Sequence, residues 1–165
     1  MRAYFFVNTA LSGIQKGLQV AHCVAEFFAN FEDEAGHDLT GTNLLHWAAC
    51  HKTIIVLEGG FHQDLQEIEA LLHDGDFGRG YFASFTEDAE TMNGMMTAVG
   101  IILPERIYEA AKILRDRKTD MDRWVKLEES NPHFCRKVGF PGKIEEYTEW
   151  EAELIHLLNS CPFAR

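Results

Sequence analysis

The sequence predicts an α/β fold, a three-layer α/β/α sandwich around a mixed four-stranded sheet, followed by a helical C-terminal extension. Three observations lead there. Short apolar runs alternate with stretches of helical periodicity, the pattern of a layered α/β domain. The elements read in the order β–α–α–β–α–β–β–α. Two of the strands are joined by a loop too short for a crossover helix, which points to one antiparallel pair and hence a mixed sheet.

The first strand is the apolar run Tyr4, Phe5, Phe6 and Val7. A polar loop with Asn8, Thr9, Ser12, Gly13 and Gln15 follows, and Val20, Val24, Phe27, Phe28 and Phe31 then mark one helix face. Lys16-Gly17 is placed between loop and helix. A helix N-terminus after a strand and a turn receives anions, because its first N–H groups lack intrahelical partners. A lysine there adds a full charge, although an ordinary solvated Lys fits the same letters.

After the acidic turn Glu32-Asp33-Glu34, Asp38 or Thr40 caps a second helix through residues 43–49. Thr53 to Leu57 is a β-branched strand, broken by Glu58-Gly59-Gly60. Leu65, Ile68, Leu71 and Leu72 mark the third helix, ended near Asp74-Gly75-Asp76. Residues 80–86 are the third strand. A polar loop over residues 87–96 leads to the fourth, Thr97 to Leu103. Pro104 and Glu105 suit the start of the next helix, and Lys112, Arg115 and Arg117 its end.

The first domain is expected to span residues 1–117. Residues 118–165 form the extension, with one helix over Asp120 to Glu129. Another runs from Ile144 through Tyr147, Trp150, Leu154, Leu157 and Leu158, and its aromatic surface has to be buried on the domain or on a partner subunit.

The 165 residues carry a net charge of −11. Residues 1–117 hold 8 Lys/Arg against 17 Asp/Glu. Proteins that grip many phosphates normally present a basic face, so the balance weighs against an extended nucleic-acid surface. Lys112, Arg115, Arg117, Lys118, Arg136 and Lys137 are the basic residues that fit a local anion patch. No apolar run reaches membrane-spanning length, and the N-terminal apolar stretch is too short for a signal peptide. The four cysteines (Cys23, Cys50, Cys135, Cys161) are widely spaced, which reads as reduced thiols in a cytoplasmic protein. His22/Cys23, Cys50/His51 and His133/Cys135 match no structural zinc spacing, so neither metal nor cofactor is expected.

Chemistry concentrates in the loop after the third strand, with Glu87, Asp88, Glu90, Thr91, Asn93 and Thr97. Its ends are fixed by the sheet, and the Lys16 turn is expected close to it. An ammonium, a carboxylate and two hydroxyls would then converge, a set suited to positioning water and holding a carbonyl oxygen or phosphate.

The order of these segments resembles the type II peptidyl-tRNA hydrolases. The likeness is carried by KGLQVAHCVAEF (16–27), Trp47 with HKTIIVLEG (51–59), DLQEIEALL (64–72) and DAETMNGMMTAVGIILPERI (88–107), within residues 3–117. The resemblance implies an α/β/α fold, a homodimer, and metal-free cleavage of the ester joining a peptide to the tRNA ribose. It places the reactive lysine on Lys16, the aspartate on Asp88 as base or water-orienter, and the threonines on Thr91 and Thr97. Gly17, His22, Asn93 and Gly94 fall at ligand-binding positions. The sequence departs from the family at Gln15, Leu18, His22, Val24-Ala25, Glu90 and Asn93, which removes basic charge and reshapes the rim. The expected partner is therefore tRNA or, in a non-catalytic alternative, a small nucleotide-like anionic ligand.

Overall fold

The computed structural model describes residues 1–33, 40–73, 82–116 and 148–164. They form β1 (Arg2–Val7), α1 (Gly13–Asp33), α2 (Thr40–His46), a π-helical turn (Trp47–His51), β2 (Ile54–Glu58), α3 (His62–His73), β3 (Phe82–Thr86), a one-turn α4 (Ala89–Met92) and β4 (Met96–Leu103). Residues 105–116 are helical (α5), and α6 is Glu149–Ser160. The expected α/β order is present.

The sheet is four-stranded and mixed, in the order β2-β1-β4-β3. β1 runs parallel to β2 and antiparallel to β4, and β3 is antiparallel to β4. The short connection between the last two strands does make an antiparallel pair. All eight residues of β4 and Ala3 to Val7 of β1 are buried. Central strands buried on both faces read as near-continuous apolar runs, as Ala3 to Val7 and Ala98 to Leu103 do.

Successive strand residues point to opposite faces. Phe5 meets Phe27 of α1, ring centroids 5.7 Å apart. Leu65 of α3 and Phe6 of β1 close around Gly59. Gly100 lets α1 approach, since a Cβ there would lie 2.6 Å from Phe5 and 3.0 Å from Phe27.

The outer edge of β2 is paired too. The Glu58 N–H donates to the Pro162 carbonyl (2.8 Å), and the Ala164 N–H donates to Val56 (3.0 Å). These contacts satisfy edge groups that would otherwise offer themselves to another chain.

The chain divides into two compact units, Met1–Glu105 with Ser160–Arg165, and Arg106–Asn159. In the second, Thr148 and Glu151 form a capping box at the start of α6. The Glu151 N–H donates to Thr148 Oγ1 (3.2 Å), and the Thr148 N–H donates to Glu151 Oε2 (3.1 Å). Arg106 pairs with Glu151, and Arg115 Nε donates to Asn159 Oδ1 at 3.3 Å. The expected boundary at residue 117, the helix over 120–129, and Arg117, Lys118, Arg136 and Lys137 lie outside the described residues.

Candidate functional site

β1, β2 and β3 all end at one edge of the sheet, where β4 begins. Pairing brings Glu58 opposite Val7, Val7 opposite Ala98, and Thr86 opposite Met96. In α/β sheets the carboxyl ends of strands are where ligands are usually bound. The buried polar side chains of the first unit, Asn8, Lys16, Gln19 and Thr97, gather at this edge.

Asn8 leaves β1 fully buried. Its Nδ2 donates to the Met96 carbonyl (3.3 Å), and its Oδ1 accepts the Ala10 N–H (3.0 Å). It ties the end of β1 to the start of β4. His62, at the start of α3, reaches the same point, its Nδ1 accepting the Met96 N–H at 2.9 Å.

α1 begins earlier than the apolar pattern suggests. The Ser12 N–H donates to Gln15 Oε1 (2.9 Å) and the Gln15 N–H approaches Ser12 Oγ (3.5 Å), a capping box that starts the helix at Gly13. Lys16 and Gly17 consequently sit inside the helix and not in the turn before it, and the Lys16 N–H donates to the Ser12 carbonyl. The buried stripe of α1 runs through Lys16, Gln19, Val20, Cys23 and Phe27. Its first turns are polar and the rest apolar, so the helix delivers polar groups only at the strand ends.

Lys16 is 7% exposed, and its Nζ lies 2.6 Å from Glu58 Oε1. Such a pair is held by geometry more than by net gain, because both charges have lost most of their water. Gln19 accepts the Thr97 hydroxyl at Oε1 (2.9 Å) and donates from Nε2 to Glu87 Oε1 (2.8 Å). Thr97 Oγ1 also lies 3.3 Å from the Phe85 carbonyl. A continuous chain thus runs from Thr97 through Gln19 to Glu87. Gln19 has one orientation in it, with the amide oxygen facing a hydroxyl and the NH2 facing a carboxylate.

Asp88, next to Glu87, heads α4 and is exposed. Its carbonyl accepts the N–H groups of Thr91 (3.0 Å) and Met92 (3.1 Å), while its carboxylate makes no capping bond. Thr91 is exposed on the same turn. Asn93 (φ 56°) and Gly94 (φ 70°) are both left-handed and turn the chain into β4. His22, one turn along α1, is exposed and stacks on Phe85 with centroids 4.4 Å apart and planes 9° apart. An added side-chain atom at Gly17 or Gly94 would meet nothing within 4 Å.

The edge thus joins Lys16 to Glu58 and Thr97 to Glu87, and leaves Asp88, Thr91, Asn93 and His22 exposed. Glu58, Gln19 and His62 are partners that the sequence reading passed over, whereas Glu87 belongs to the polar loop it singled out. Gln19 has a local signal, since it sits three residues from Lys16 on the buried stripe. Among the described residues no three His, Cys, Asp or Glu side chains are grouped to hold a metal ion. No described helix is long and apolar enough to cross a membrane.

No protein-family model matches the sequence, and no curated protein matches it.

Proposed function

We propose that the chain is a divergent hydrolase of the type II peptidyl-tRNA hydrolase kind, cleaving an ester between an acyl group and a ribose hydroxyl. The observation that carries this reading is the pairing of two buried polar links, Lys16–Glu58 and Thr97–Gln19–Glu87, at the strand ends beside an exposed Asp88. Asp88 takes a proton from water, which attacks the ester carbonyl carbon. The C–O bond to ribose breaks, and the departing oxygen receives the proton.

A lysine ammonium has three N–H donors, and among the described residues Glu58 takes one of those of Lys16, leaving others for the carbonyl oxygen as it gains negative charge. Thr97 is a positioning residue, since its fully buried hydroxyl acts through Gln19. Thr91, Asn93, Gly94, Gly17 and His22 line the approach. The reading also makes the protein a cytoplasmic homodimer with tRNA as partner, which native mass measurement and localisation of a tagged chain test.

The deciding experiment is hydrolysis of a peptidyl-tRNA by wild type and Asp88→Asn at low and moderate salt. Loss of the base costs about a hundredfold or more in turnover. A well-folded wild type without turnover would overturn the proposal.

The net charge of −11 favours a second reading, retention of a small nucleotide-like anionic ligand without catalysis. Such a ligand needs few cationic contacts. In that case Asp88→Asn keeps the ligand and Lys16→Ala loses it.

A further inference from the structure

We infer that the π-helical turn after α2 carries a two-histidine site for a divalent transition-metal cation, separate from the strand-end site. His46 precedes the turn and His51 ends it, and both rings are exposed. Their Nε2 atoms are 3.1 Å apart, with ring centroids at 5.0 Å. With metal–nitrogen bonds of about 2.0–2.1 Å, two nitrogens at that spacing subtend roughly 100° at a shared ion. That angle lies between the square-planar and tetrahedral values, the geometries of Cu2+, Ni2+ and Zn2+ sites with imidazole ligands.

The backbone prepares this arrangement. In an ordinary α-helix, residues five apart diverge around the axis. The wider π turn brings position 51 back over position 46. Three contacts clamp the turn. Trp47 is buried and donates from Nε1 to the Thr53 carbonyl (3.0 Å). The Lys52 N–H donates to the Trp47 carbonyl (2.8 Å), with Lys52 left-handed at φ 52°. Thr53 Oγ1 donates to the His51 carbonyl at 3.4 Å. The two imidazoles therefore stand on a fixed base.

Without metal the same spacing holds one N–H···N hydrogen bond. For metal to bind, the donor ring moves its hydrogen to Nδ1, so that both Nε2 lone pairs face the ion. No redox change is involved. The remaining coordination positions stay open to water or to a ligand from another molecule.

The test uses the full-length protein titrated with Zn2+ by calorimetry, and with Cu2+ by electron paramagnetic resonance. Cys50 is exposed on the same turn, so wild type and Cys50→Ser are run in parallel. One equivalent should bind in both. His46→Ala and His51→Ala should each weaken binding by about tenfold or more, a scale on which even outer-shell partners of a metal act. His156→Ala should leave it unchanged. The Cu2+ spectrum should show coupling to two nitrogens and lose one in each single variant. Binding that survives both His variants, or that vanishes with Cys50→Ser alone, would overturn the inference. So would the absence of a stoichiometric site. Both histidines are exposed, so their variants should fold, which circular dichroism checks.

Discussion

Lys16 and Glu58 keep only 8% and 15% of their side-chain surface in contact with solvent, and their charges face each other at 2.6 Å. Replacing Glu58 with Gln leaves the ammonium without this counter-charge in a place water barely reaches. That substitution should cost about 3 kcal/mol in urea-induced unfolding. Adding Lys16→Met to it should recover part of the loss, because the uncompensated charge is then gone, and the double-mutant cycle reads the coupling directly. Cys23 offers a second check at this scale. Burial is the main reason its thiol is pushed up to about 12 from 9.0, with Glu26 adding to the shift. Between those pH values the unfolded chain gives up the proton while the folded chain keeps it, so folding stability falls as pH rises through that window. Cys23→Ala should flatten that part of the profile. In alkylation at neutral pH followed by mass spectrometry, exposed Cys50 should react first among the described cysteines. Cys161, half-buried and also raised by burial, should follow, and Cys23 should react only upon global opening.

At the scale of elements, the start of α1 sets the geometry of the site. Ser12→Ala removes one half of the capping box and should cost about 1 kcal/mol. It should also loosen the first turn, which carries Lys16, so if the proposed hydrolase reading holds, turnover should fall by more than the fraction unfolded explains. Gly100→Ala tests the other end of α1. A methyl group there has to displace Phe5 or Phe27, and overpacking of this kind costs about 1–3 kcal/mol. Pairing it with Phe27→Leu should restore part of the stability. The strands were readable because Ala3 to Val7 of β1 and Ala98 to Leu103 of β4 are apolar without interruption, and the antiparallel pairing of β3 with β4 followed from the short loop between them. The helix start was not, although Ser12-Gly13-Ile14-Gln15 contains the capping pattern. Gly13 and its polar neighbours have the composition of a loop, and the apolar count began only at Val20. Glu58 was harder still. Beside two glycines it looks like the end of a strand, and only the register of β1 with β2 brings it to Lys16, 42 residues away. No local period encodes that pairing. The π turn at Trp47–His51 also has no letter pattern of its own, so the meeting of His46 and His51 appears only in three dimensions.

At the scale of the whole molecule, residues 162–164 lie along the outer edge of β2 and fix the backbone of Glu58. A chain shortened after Asn159 should therefore lose protection at the Glu58 amide in hydrogen exchange. It should also scatter more light on storage, because an uncovered strand edge recruits other chains. If the shortened chain keeps the Glu58 amide protected and stays monodisperse, the edge is held by something other than residues 162–164. The same contact matters during synthesis. Glu58 emerges from the ribosome 104 residues before Pro162, a delay of about 5–20 s at ordinary elongation rates. Throughout that interval β2 has to wait with one side bare. Slower translation of the later codons would lengthen that exposure without changing a single residue of the finished protein.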